Sequence, residues 1–89
     1  MKNTIKLAKK TLFNNRISKY TLPTNTKLYP AQWNWDSAFI ALGYSNFNLN
    51  YSFKEIETLL SGQWEDGMIP HILFHIKDLN YTPNYKAWN

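Results

Sequence analysis

Between Thr4 and Phe13 the apolar residues Ile5, Ala8 and Leu12 recur at i, i+3 and i+7, with Lys6, Lys9 and Lys10 largely opposite. This spacing predicts an amphipathic helix, ended by Asn14 and Asn15. A second helix is predicted from Asp36 to Tyr44, where Ser37-Ala38-Phe39-Ile40-Ala41-Leu42 is apolar on nearly every side after the first turn; such a helix is expected to be buried all round. Ser52 and Glu55 form an S-x-x-E capping box, with Tyr51 and Ile56 placed as a hydrophobic staple, so a third helix is predicted to begin at Ser52. Phe53, Ile56, Leu59 and Leu60 give it one apolar face, and Ser61-Gly62 is its stop.

The connections are equally patterned. Residues 18–35 carry Pro23, Pro30 and several Thr and Asn, and read as a long connection without regular structure. A loop of that length in a small domain is usually functional. Beyond Gly62, Asp66-Gly67 predicts a turn followed by an extended approach to Pro70, and the apolar stretch after it fits a strand or a helix equally. No internal repeat and no low-complexity tract is present.

Composition narrows this picture. A chain of 89 residues allows one small domain at most, near the lower end of what buries a self-sufficient core. It has no cysteine, so neither a disulfide framework nor a thiolate metal site can staple it. A hydrophobic fraction of 44% with 17% aromatic residues is too high for a disordered segment. The net charge of +4 comes from basic residues clustered early, at Lys2, Lys6, Lys9, Lys10, Arg16 and Lys19, which read as a solvated helix face. Without a nucleic-acid-binding motif they do not call for a nucleic-acid partner. Asn3 to Lys10 contain no apolar core of a signal peptide, and nothing approaches the roughly 18 continuous apolar residues of a membrane span. No membrane partner is therefore expected, and the expected location is cytoplasmic.

The stretch "YPAQWNWDSAF", residues 29–39, concentrates the candidate chemistry by setting Tyr29, Trp33 and Trp35 around Asp36. Rings beside a hydrogen-bonding acid suit a sugar, whose C–H faces stack while its hydroxyls need polar partners. Asp at a helix start is more commonly an N-cap, contributing about 1 kcal/mol, and one carboxylate can both cap and bind. Trp33 and Trp35 alternate, so in an extended segment they would share one wall with Asn34 on the other face. In "QWEDG", the adjacent Glu65 and Asp66 are better explained by turn chemistry than by paired catalysis, leaving Gln63 and Trp64 as the more informative residues. His71 and His75 stand at i and i+4, but Ile72 occupies the position where a zinc protease helix needs Glu, and no third ligand is evident. No metal and no cofactor are expected. His71 is instead a donor to a bound hydroxyl or a satisfied buried imidazole. Nucleophile-elbow, P-loop and dinucleotide fingerprints are all missing from the sequence.

Taken together, "YPAQWNWDSAF" and "LLSGQWEDGMIPHILF" resemble the opening of a family 63-type glycoside hydrolase domain, the group containing mannosylglycerate hydrolase and processing α-glucosidase relatives. The likeness runs from Tyr29 to Phe74, with both stretches in the expected order. It implies an all-α fold, an (α/α)6 barrel of six inner and six outer helices, in which residues 1–89 are an incomplete N-terminal part. The helices at 36–44 and 52–60 would be one inner and one outer member. The resemblance further implies that Tyr29, Trp33, Asn34, Trp35 and Asp36 line the subsite for the non-reducing sugar and that Gln63 and His71, which match the second motif, border it; Tyr81, just beyond that motif in the sequence, is a lesser candidate.

The family's catalytic Asp and Glu, which act by inversion on α-glycosidic bonds, are expected far downstream, so none of these residues is assigned as catalytic. Inversion needs carboxyls roughly 6.5–9.5 Å apart with a water between them. The expected function is thus the substrate-binding part of a glycosidase for a small oligosaccharide or glycoside, completed by downstream sequence. The alternative is a stand-alone carbohydrate-binding or interaction module, and a weaker one is a single-strand nucleic-acid binder using basic residues and stacking rings.

Overall fold

The computed structural model describes residues 2–24 and 28–76. Helix α1 spans Lys2–Asn14 and is followed by a hairpin of two short strands, β1 (Arg16–Ile17) and β2 (Tyr20–Thr21). Strand β3 (Gln32–Trp33) leads directly into α2 (Asn34–Tyr44); α3 (Leu49–Leu60) and strand β4 (Ile72–Leu73) complete the described elements. β3 and β4 pair antiparallel, Gln32 opposite Leu73 and Trp33 opposite Ile72. The architecture is helix-rich, but the connection expected to lack regular structure contains paired strands. The apolar stretch left open after Pro70 is β4.

α2 packs chiefly against α3, and the contact explains why α3 starts earlier than the capping box predicts. Its N-cap is Asn48, whose side chain accepts from the Tyr51 backbone N–H at 3.1 Å. Ser52 lies inside the helix and donates its hydroxyl to the carbonyl of Ala41 on α2, while Glu55 turns inward and is 1% exposed. Both residues of the predicted box serve long-range packing, and tertiary structure has overridden the local signal. Ser61 is the C-cap, and Gly62 follows because a Cβ there would lie 2.6 Å from a methyl of Leu73.

The expectation that α2 is buried all round is corrected. Only Ser37, Ala41 and Tyr44 are buried, whereas Trp35, Phe39 and Leu42 are exposed. α1 has no buried residue at all. It is tied down by an aromatic cluster in which Phe13 meets Tyr44, Phe47 and Tyr51 at 5.6–6.1 Å between ring centroids. Lys9 lies over the Phe47 ring and Arg16 over the Tyr51 ring, so two of the early cations stack on aromatic faces. A small core of Ala31, Ile72 and Phe74, with Trp33 against it, draws residues from both β3 and β4. No helix among the described residues is long and apolar enough to cross a membrane.

Candidate functional site

Three of the residues singled out in the sequence meet in one cleft. Trp33, Trp35, His71 and Ile72 line an open recess of about 280 Å³. The two tryptophans reach it differently from the extended arrangement expected: Trp33 belongs to β3 and Trp35 to the first turn of α2. The strand-to-helix junction brings both rings to the cleft that β4 and the preceding His71 close from the other side. Tyr29 extends the aromatic wall by an edge-to-face contact with Trp33 at 5.3 Å. Trp35 is the open side, 74% exposed and in edge contact with Phe39.

Asn34 fastens the cleft rather than lining it. Its backbone N–H donates to the carbonyl of His71 at 2.8 Å, and its side-chain amide donates to the carbonyl of Pro70 at 3.1 Å. The segment 33–36 and the segment 70–72 are thereby held as one unit. Asp36 is not an N-cap, because Trp33 occupies that position and makes no side-chain cap bond. The carboxylate stands in the first turn of α2, half-buried, where the helix dipole favours a negative charge. Among the described residues it has no hydrogen-bond partner, so its oxygens remain open to other donors.

Gln63 lies outside the recess. Its amide donates to the carbonyl of Gly67, closing the turn that Asp66 caps by accepting from the Met68 backbone N–H. Gly67 has φ +97, a left-handed conformation natural to glycine, as the Asp-Gly turn predicts. Glu65 and Asp66 are both exposed in this turn, which agrees with the turn reading of that pair. Tyr81 lies outside the described residues. Among the described residues no group of three or more His, Cys, Asp or Glu could hold a metal ion.

The sequence reading missed the support beneath the cleft. Gln32 is fully buried and donates through its side-chain nitrogen to the carboxylate and the backbone carbonyl of Glu55, at 3.0 and 2.9 Å. Ser37 donates to the same carboxylate at 2.8 Å, and so does the Thr21 backbone N–H. Burial pushes the Glu55 carboxyl up from its ordinary value, while the bonds from Ser37, Gln32 and Thr21 pull it back. The oxygen of Gln32 faces Nε2 of His75 at 2.9 Å, and that ring stacks on Tyr20 at 4.0 Å. The signal for Gln32 was its alternation with Trp33, which sends it to the opposite face of the strand from a cleft residue.

A larger groove of about 650 Å³ runs along α1, lined by Leu7 and Phe13 with Asn3 and Lys6, Lys9 and Lys10. It offers one ring and no carboxylate or imidazole, so it lacks the rings-plus-acceptors chemistry of the recess at Trp33.

Comparison with known proteins converges on one family. The mannosylglycerate hydrolase MGH1-like glycoside hydrolase domain matches residues 29–89. Mannosylglycerate hydrolase MGH1 of Selaginella moellendorffii is 42% identical over 94% of this chain and 17% of its own length. Glucosylglycerate hydrolase of Mycolicibacterium hassiacum is 44% identical over 68% of this chain and 14% of its own. The crystal structure of the GH63 mannosylglycerate hydrolase from Thermus thermophilus, in complex with Tris and D-glycerate, superposes with a TM-score of 0.84 at 39% identity. That superposition covers 94% of this chain and 20% of the enzyme. The chain therefore spans about a fifth or less of the length of these relatives.

Proposed function

The chain belongs to the mannosylglycerate hydrolase MGH1-like glycoside hydrolase family, and from that premise we propose that it forms part of the substrate-binding wall of an (α/α)6-barrel hydrolase. The substrate is a small α-linked glycoside of an acidic aglycone, mannosylglycerate or glucosylglycerate being the natural candidates given the names of the relatives. The observation that carries this reading is the convergence of Trp33, Trp35 and His71 on one cleft, with the carboxylate of Asp36, unpartnered among the described residues, in the adjoining helix turn.

In this reading the rings of Tyr29, Trp33 and Trp35 stack on the C–H faces of the sugar, and Asp36 accepts from its hydroxyls. His71 donates a hydrogen bond from the opposite wall. Asn34 and Gln63 act one step removed, by fixing the loops that carry His71 and the approach to it. In this reading the catalytic acid and base of an inverting reaction are supplied by downstream sequence; Glu65 and Asp66, in an exposed turn, are not proposed for that role. The exposed apolar side of α2, with Phe39 and Leu42, is the side on which further barrel helices would pack.

The test is ligand binding by variants of the full chain. Trp33→Ala and Asp36→Asn should each weaken binding of mannosylglycerate by about tenfold or more while leaving the helical circular dichroism unchanged. If Asp36→Asn lowers stability and leaves affinity intact, Asp36 has no ligand role.

A further inference from the structure

One oxygen atom of Glu55 receives hydrogen bonds from both ends of the cleft segment. Gln32, the residue before Trp33, donates to Oε2 at 3.0 Å; Ser37, the residue after Asp36, donates to the same Oε2 at 2.8 Å. Between these anchors lie Trp33, Trp35 and Asp36, which the proposed function sets against a ligand, and Asn34, which fastens the cleft. The other oxygen, Oε1, accepts from the Thr21 backbone N–H at 2.8 Å and roots the carboxylate in β2. Gln32, Ser37 and Glu55 are each 1% exposed or less, so water cannot substitute for these bonds.

We infer that Glu55 is a positioning residue for the cleft: through Gln32 and Ser37 it sets the bend between β3 and α2, and thereby the angle between the Trp33 and Trp35 rings. A strand that passes into a helix with no side-chain N-cap has no local device to fix the bend, and α2 has none. A carboxylate oxygen accepts two bonds at once, and a charged acceptor makes each of them stronger than a neutral one would. The carboxylate acts on the segment from α3, an element that does not line the recess at all.

This role separates two substitutions of nearly equal shape. In Glu55→Gln the amide can place its carbonyl oxygen where Oε2 now sits and keep both anchors, at the cost of the Thr21 bond, where its nitrogen faces another donor. Glu55→Met fills the same space and accepts nothing, so both anchors are lost. A purely structural contribution from α3 would make the two variants differ in global stability without singling out the segment 33–36.

The experiment is amide hydrogen exchange by nuclear magnetic resonance on the full chain, with the Asn34 N–H, bonded to the carbonyl of His71, as reporter and the Leu59 N–H in α3 as reference. Glu55→Met should speed exchange at Asn34 by about tenfold or more relative to Leu59, and Glu55→Gln should restore it to within about threefold of the parent chain. If Glu55→Met does not fold, Ser37→Ala replaces it, since it removes a single anchor and leaves a smaller side chain in a buried site. Equal acceleration at Asn34 and Leu59, or no difference between the Met (or Ser37→Ala) and Gln variants, overturns the proposal. The service to a ligand rests on the proposed function, whereas the exchange measurement needs none. A chain that shows the exchange pattern but binds no glycoside refutes the function and leaves the positioning role standing.

Discussion

The oxygen of the Gln32 side chain lies 2.9 Å from Nε2 of His75. Because the Gln32 nitrogen is committed to Glu55, its oxygen must accept, so His75 carries its proton on Nε2. Burial lowers the pKa of this imidazole from its ordinary value of 6.5. A histidine whose folded pKa is depressed contributes stability that is full above the unfolded value and is lost as pH falls through the folded one. Thermal melts should therefore show the parent chain losing stability between pH 7 and pH 5 (about the window of an imidazole) relative to His75→Gln, which keeps a donor for Gln32. Parallel melting curves for the two chains over that range would refute the assignment.

Glu55 has the opposite sign. Its folded pKa is raised by burial above 4.5, so the folded state holds the proton more tightly than the unfolded chain does. Its contribution to stability is then greatest at acid pH and declines as pH rises from 4.5 through the raised value. Replacement by Gln removes this titration. The stability difference between the parent chain and Glu55→Gln, followed by urea unfolding, should move against the parent as pH rises across that window.

The start of α3 can be decided by mutation. Asn48→Ala removes the side chain that accepts from Tyr51 and should cost about 1 kcal/mol. Ser52→Ala should cost a similar amount for a different reason, the loss of a buried bond to Ala41 in α2. A double-mutant cycle of Ser52→Ala with Ser37→Ala, both at the α2–α3 contact, tests whether the buried polar contacts act together.

Gly62 is held by space rather than by backbone angle. A Cβ there would meet all three branching carbons of Leu73 at 2.6–3.3 Å. Gly62→Ala must displace Leu73 from its place in β4 and should destabilise by about 1–3 kcal/mol. Because Ile72 beside it lines the recess, the same change should also weaken ligand binding.

The sequence made some of this legible and hid the rest for physical reasons. α1 followed from the apolar spacing and its end from the Asn14-Asn15 pair, although it starts two residues before Thr4, and the Asp66-Gly67 turn followed from its chemistry. The aromatic stretch pointed to the cleft, and Trp33, Trp35 and His71 do meet there. The capping box at Ser52 and Glu55 misled because both side chains bond to partners distant in sequence, which no local rule registers. Asp36 was offered as a cap and is not one, since the strand pairing of Trp33 makes that residue the N-cap and starts the helix at Asn34. Gln32 looked like a polar spacer between aromatic residues, and its importance emerges only when Glu55 is seen beneath it.

If the proposed function holds, the recess at the β3–α2 junction is a glycoside-binding surface. Its most direct test is a titration of the full chain with mannosylglycerate, followed through the indole N–H signals of Trp33, Trp35 and Trp64 and the ring of His71. Saturable shifts are expected at Trp33, Trp35 and His71 with a dissociation constant of about a millimolar, as befits one wall of a larger site. Trp64, outside the recess, should stay still and serve as the control. Shifts of equal size at Trp64, or none at Trp33, Trp35 and His71, would contradict the claim.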